Sequence, residues 1–167
     1  MISSSLRTES MQETDGSIKK ELEELFAQHA TDRVCVLGTI CCGKTTLLRQ
    51  ITNCVDVDDE LWSRLTEEET AFVSRTPWTE EIGDEIDRLV KERITIRPGF
   101  PHFGTVILDC EVIVYLDIDD SLLRKRCKKR GTSFTDAIRI KESIENDLES
   151  YKRTHSDKAY YYFRLKE

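Results

Sequence analysis

Apolar positions along this chain fall into short runs separated by amphipathic stretches. RVCVLG, Arg33–Gly38, is apolar, β-branched and closed by glycine, and reads as a buried strand. Before it, Ile18, Leu22, Leu25 and Phe26 recur at helical spacing, which predicts a helix from Ile18 to about His29 capped by Ser17. After it, KTTLLRQITN predicts a helix with Leu47, Leu48 and Ile51 turned inward. VDVDD follows as a short strand, Val55–Val57, that ends in acids. Thr66 and Glu69 match a capping box, and Thr79 opens a longer helix carrying Ile82, Ile86, Leu89 and Val90 on one face.

Residues 94–118 hold more strand signal than a parallel sheet can use. RITIRPG, TVILD and VIVYLDI all read as strands, yet only Cys110 and Glu111 separate the last two. Parallel neighbours need a crossover of about a dozen residues or more. The expectation is therefore Ile94–Arg97 as the third strand and Val112–Ile118 as the fourth, with 100–111 as a short, partly helical crossover. Asp119 or Asp120 then caps a helix to about Arg130, and Gly131 breaks it. Thr135 or Asp136 starts a long helix to about Thr154 with Ile140, Ile144, Leu148 and Tyr151 on one face, and AYYYFRL closes the chain as a strand. This alternation predicts an α/β fold of three layers, with a parallel sheet of about five strands and helices on both faces.

Composition narrows the picture. The chain has 167 residues, which suits one domain, and is 38% apolar and 34% charged. Its net charge of −7 argues against a uniformly basic nucleic-acid surface. Residues 1–16 are polar and lack a signal-peptide core, so a disordered tail is expected there and a single domain over 17–167. No apolar run approaches the ~18 residues of a membrane span. The six cysteines form no C-x-x-C pair and no metal spacing, and read as reduced thiols in the cytoplasm.

One stretch carries specific chemistry. GTICCGKT, 38–45, matches G-x-x-x-x-G-K-[ST], the phosphate-binding P-loop, in the required place between a strand and a helix. Glycines let the backbone curl so that its N–H groups face phosphate oxygens. The cradle is Gly38, Thr39, Ile40, Cys41, Cys42, Gly43, Lys44, Thr45 and Thr46; Lys44 reaches the β- and γ-phosphates and Thr45 ligates Mg²⁺. The implied ligands are ATP and Mg²⁺. Asp56 and Asp58 lie where the second strand ends, a place where carboxylates orient a metal or accept a proton; a helix cap by Asp58 or Asp59 is the alternative.

From residue 33 to about 165, the chain resembles the small P-loop kinases of the adenylate-kinase, shikimate-kinase and gluconate-kinase superfamily. The resemblance implies a P-loop NTPase fold, a substrate-binding helical segment at about 60–91 and a short lid at about 126–136. In shikimate-kinase-like enzymes an Asp-x-Asp closes the second strand; by that pattern Asp56 assists Mg²⁺ and Asp58 contacts the reacting hydroxyl as base. Arg75, in SRTPW, stands roughly where these enzymes carry a substrate-binding arginine. Arg126 and Arg130 resemble the R-x-x-x-R that opens adenylate-kinase lids, while a solvated basic face with Arg124, Lys125, Lys128 and Lys129 is the plainer reading. Departures leave the acceptor open. Glu145-Asn146-Asp147 replaces the adenylate-kinase arginines, Pro98-Gly99 replaces a triple glycine, and GFPH at 99–102 carries His102 in place of arginine. Three functions remain: a kinase acting on a small molecule such as a nucleoside, nucleotide or sugar-like alcohol, an ATP-binding regulatory module, and a polynucleotide-end kinase.

Overall fold

The computed structural model describes residues 11–13 and 15–166. Its strands are β1 (Met11–Glu13), β2 (Val34–Leu37), β3 (Val55–Asp56), β4 (His102–Gly104), β5 (Val112–Ile118) and β6 (Ala159–Leu165). All pair in parallel, in the order β1-β6-β5-β2-β4-β3. Five strands, β2 to β6, form the body of the sheet, the number expected, and β1 extends its edge. Part of the expected tail therefore joins the sheet, and residues 1–10 and 14 of that tail lie outside the described residues.

The helices are α1 (Asp15–Gln28), α2 (Lys44–Gln50), α3 (Val57–Trp62), α4 (Glu67–Val73), α5 (Glu80–Arg93), α6 (Asp120–Arg130) and α7 (Phe134–Thr154). They cover both faces, as alternation along each strand requires. Val34, Val36, Phe103, Val114 and Phe163 face α1, α2 and α6, where Ile18, Leu22, Leu47 and Leu123 are buried. Cys35, Leu37, Ile113 and Tyr160 face the other way, against Leu61 of α3, Leu89 of α5 and Leu148 of α7. No helix among the described residues is long and apolar enough to cross a membrane.

Local signals explain most boundaries. Thr66 and Glu69 form the expected capping box on α4, and Thr79 accepts the Ile82 amide at the start of α5. Gly131 ends α6 in the left-handed conformation at φ 67°. Ser133, rather than Thr135 or Asp136, caps α7 by accepting the Asp136 amide at 3.2 Å.

The third strand differs from expectation. Ile94 and Ile96 are buried and Thr95 and Arg97 exposed, so the alternation is real, but this segment packs on the core without joining the ladder. The paired strand is His102–Gly104, level with Cys35–Leu37. The crossover to β5 is only 105–111 and contains no helix. It must travel back about 10 Å along the strands and across two strand spacings, roughly 14 Å in all, within the reach of seven extended residues. Val106, Ile107 and Leu108 are buried along the way and stand in for a covering helix.

Candidate functional site

β2 ends at Leu37, and the Gly38 amide bonds the Gly104 carbonyl at 3.1 Å. The chain then curls through Cys41 at φ 64° and Gly43 at φ 110° before α2 begins at Lys44. Gly43 adopts the left-handed region freely, whereas Cys41 does so against its own Cβ. A Cβ on Gly38 would stand 2.5 Å from Cys42 Sγ, so the close return of the loop requires glycine there.

Three contacts fasten this loop. Thr39, 1% exposed, donates from Oγ1 to the Ala137 carbonyl of α7 at 2.6 Å. Arg126 of α6 donates to the Cys42 carbonyl at 2.7 Å. Lys44 Nζ donates to the Gly38 carbonyl and, at 3.3 Å, to that of Thr39. Arg126 opens the 126–136 segment expected to hold a lid and Ala137 directly follows it, so the loop is packed against both ends of that segment.

Beside the loop opens a cleft of about 440 Å³. The loop contributes Cys41, Cys42 and Gly43, α2 contributes Thr45, Thr46 and Arg49, and α6 contributes Arg126, Lys129 and Arg130. Four cations around one cleft contrast with the net charge of −7 over the chain. Convergent cations in a cleft favour an anionic ligand. Another cleft, of about 310 Å³ beside α1, is lined by Glu23, His29 and Asp32 and, among the described residues, by no lysine or arginine. Arg49 and Lys129 were not among the expected site residues. Arg49 lies one helical turn beyond Thr45, a spacing that could have revealed it; Lys129 was hidden within a basic run.

The acids are placed differently from the arginines. β3 ends at Asp56, which caps α3 itself by accepting the Asp58 amide at 3.0 Å. Burial first, and then the neighbouring Asp58 and Asp59, raise the Asp56 pKa above the ordinary carboxylate range. Asp58 is exposed in the first turn of α3. Asp56 is level with Phe103 and, through it, with Val36, two strand spacings or about 10 Å from β2. Both acids thus sit toward the loop end of the sheet, but neither lines the loop cleft. Arg75 also lies outside that cleft, exposed between α4 and α5 with its guanidinium 5.0 Å from the Phe72 ring centroid.

The helical segment expected to bind substrate forms part of a separate cleft of about 660 Å³ against α7. Asp84, Asp87, Glu142 and Asp147 line it together with Arg139, which donates to the Trp78 carbonyl at 3.3 Å. Burial, and then Asp147, push the Asp87 carboxyl up to about 6. His102 is fully buried: Nδ1 donates to the Phe100 carbonyl at 2.7 Å and Nε2 stands 3.6 Å from Glu60. It belongs to the core rather than to a surface.

Among the described residues, no group of three or more His, Cys, Asp or Glu could hold a metal ion. A divalent ion at the loop would draw on the Thr45 hydroxyl, at most a carboxylate or two, and oxygens of its own ligand, as Mg²⁺ sites on phosphates do. No protein-family model and no curated protein matches the chain.

Proposed function

We propose that this protein is an ATP-dependent phosphotransferase that moves a γ-phosphoryl group to a small-molecule acceptor. The observation that carries the reading is the cleft where the curled 38–45 loop meets Arg49, Arg126, Lys129 and Arg130. Its volume of about 440 Å³ lies within the usual range for a small-molecule site. Its lining suits a triphosphate better than any neutral ligand.

In this reading the loop amides and Lys44 hold the β- and γ-phosphates, and the Thr45 hydroxyl holds Mg²⁺. The metal supplies charge neutralisation on the phosphate oxygens. Arg126 and Arg130 grip the same oxygens through planar, charge-assisted bonds, and Lys129 adds charge at the rim. Asp58, exposed at the head of α3, takes the proton of a hydroxyl acceptor. Asp56 fixes the start of that helix through its cap, a positioning role that leaves direct metal contact to its remaining oxygen.

The test is ATP-to-ADP conversion with Mg²⁺ across nucleosides, nucleoside monophosphates, shikimate, gluconate and other small alcohols. Acceptor-stimulated turnover that disappears in Lys44→Ala is the expected result. A wild-type protein that binds no ATP would refute the reading; ATP binding without stimulation by any acceptor would favour a regulatory module.

A further inference from the structure

The cleft of about 660 Å³ between α5 and α7 is larger than the loop cleft, and the phosphate chemistry does not use it. Its volume suits a small molecule. α7 connects it to the loop: the Ala137 carbonyl holds Thr39, and Arg139, two residues on, lines the cleft and bonds the Trp78 carbonyl.

Trp78 gives this cleft an aromatic wall. The indole lies against Gly83, where a Cβ would stand 2.5 Å from Cζ2 and 3.2 Å from Cη2. Glycine within a helix is unfavourable by itself. At position 83 it leaves the space the ring occupies, and both residues line the cleft, with Trp78 half-buried. The remaining lining is polar. Thr79, Ser143 and Asn146 offer hydroxyl and amide groups. Glu80, Asp84, Asp87, Glu142 and Asp147 set five carboxylates against one guanidinium, that of Arg139.

An indole beside convergent hydroxyl, amide and carboxylate groups fits a saturated ring, which presents C–H groups on its face and hydroxyls at its edge. Charge then selects among such rings. A phosphate or carboxylate on the ligand would meet five like charges, whereas an ammonium group would be attracted. Burial, with repulsion from neighbouring acids, raises the Asp87 and Asp147 carboxyls above the ordinary range, and a bound ammonium would relieve that repulsion.

We propose that this cleft binds a polyhydroxylated amine, an amino sugar or aminocyclitol, with its ring against Trp78 and its ammonium among the carboxylates of α5 and α7. In the phosphotransferase reading this amine is the acceptor; that role rests on the reading, and the binding site does not.

The experiment follows Trp78 fluorescence in Trp62→Phe, which leaves one of the two tryptophans, with no ATP present. Glucosamine, glucose and glucuronate are the probes, matched in ring and differing in charge. Glucosamine is expected to shift the emission at about tenfold lower concentration than glucose, with an advantage that shrinks as salt is added, and glucuronate to leave it unchanged. Asp87→Asn is expected to weaken glucosamine binding about threefold with little effect on glucose. Gly83→Ala, checked for folding by thermal melt, is expected to weaken both by displacing the ring. Equal affinity for the three sugars, or a preference for glucuronate, overturns the ligand class. An emission unchanged by glucosamine and by the two-ring amine neamine, or binding insensitive to both Asp87→Asn and Gly83→Ala, overturns the site. Amines that bind as expected but receive no phosphoryl group from bound ATP overturn the acceptor role alone. If the amines bind and ATP does not, the phosphotransferase reading fails and the amine site stands.

Discussion

Replacing Gly38 with alanine tests the loop geometry directly. The new methyl would lie 2.5 Å from Cys42 Sγ, over an ångström inside contact distance, while Leu116 Cβ at 3.4 Å and Lys44 Cδ at 3.5 Å are ordinary neighbours. The conflict is thus with one atom. Cys42 is 1% exposed and has a single side-chain torsion, so its sulfur has little room to retreat. Overpacking of this kind costs about 2 kcal/mol. Removing the sulfur alone, in Cys42→Ala, leaves a small void and costs about 1 kcal/mol. In the double variant the methyl at 38 occupies the volume the sulfur vacated. The total should then be about 1 kcal/mol rather than about 3 kcal/mol, a coupling well above the ~0.5 kcal/mol within which independent sites add. Urea denaturation reads this out: with a slope near 2 kcal/mol per M, Gly38→Ala lowers the midpoint by about 1 M and the double variant by about half that. Additive losses would show that Gly38 and Cys42 do not share that space and that the described loop is wrong.

Two further outcomes test other parts of the molecule. The folded pKa of Asp87, about 6, is raised above its ordinary 3.8, so the stability it contributes is complete below about pH 4 and lost as pH rises through about 6. Asp87→Asn should therefore stabilise the protein near neutral pH by about 1 kcal/mol after discounting for solvent screening, with the gain fading toward pH 4; thermal melts at both pH values check this, and no gain at neutrality contradicts it. Thr66→Ala removes the Thr66–Glu69 capping box and should cost about 1 kcal/mol in urea denaturation, while Thr66→Ser restores most of it; equal stability of all three proteins would show that α4 contributes nothing to the cooperative unit.

Elements whose local chemistry agrees with their packing were legible in the sequence. β2, the loop, β5 and β6 combine strong strand runs with a glycine motif or a helical stripe next door, and each lies where expected. The third strand was not legible. His102-Phe103-Gly104 has a histidine, a glycine and a preceding proline, and its strand character comes from being clamped between β2 and β3. Ile94–Arg97 has the right alternation and half-buries as a strand does, but no ladder reaches it. Periodicity reports which side chains are buried and is silent on which backbone pairs. The site shows the same division. The place of the curled 38–45 loop between strand and helix could be read from spacing, and Arg126 and Arg130, singled out by resemblance, line the cleft beside it. The place of Arg75 depends on how α4 packs, which no local pattern specifies; the cap by Asp56 is local, two residues from the amide it accepts, but the acidic run offered Asp58 and Asp59 for the same role.

The helix-free crossover also bears on how the chain folds. β4, residues 105–111 and β5 are contiguous, so closing that segment costs little loop entropy. The two strands it joins are not neighbours; they stand one strand apart and frame an open slot. β2 must come from far upstream to fill it, and its residues then gain backbone partners on both sides in one event. The 38–45 loop begins where β2 ends, so it takes its shape only when the slot is filled. Its order is a late product of long-range assembly, and conditions that loosen the slot will dissolve the loop with it.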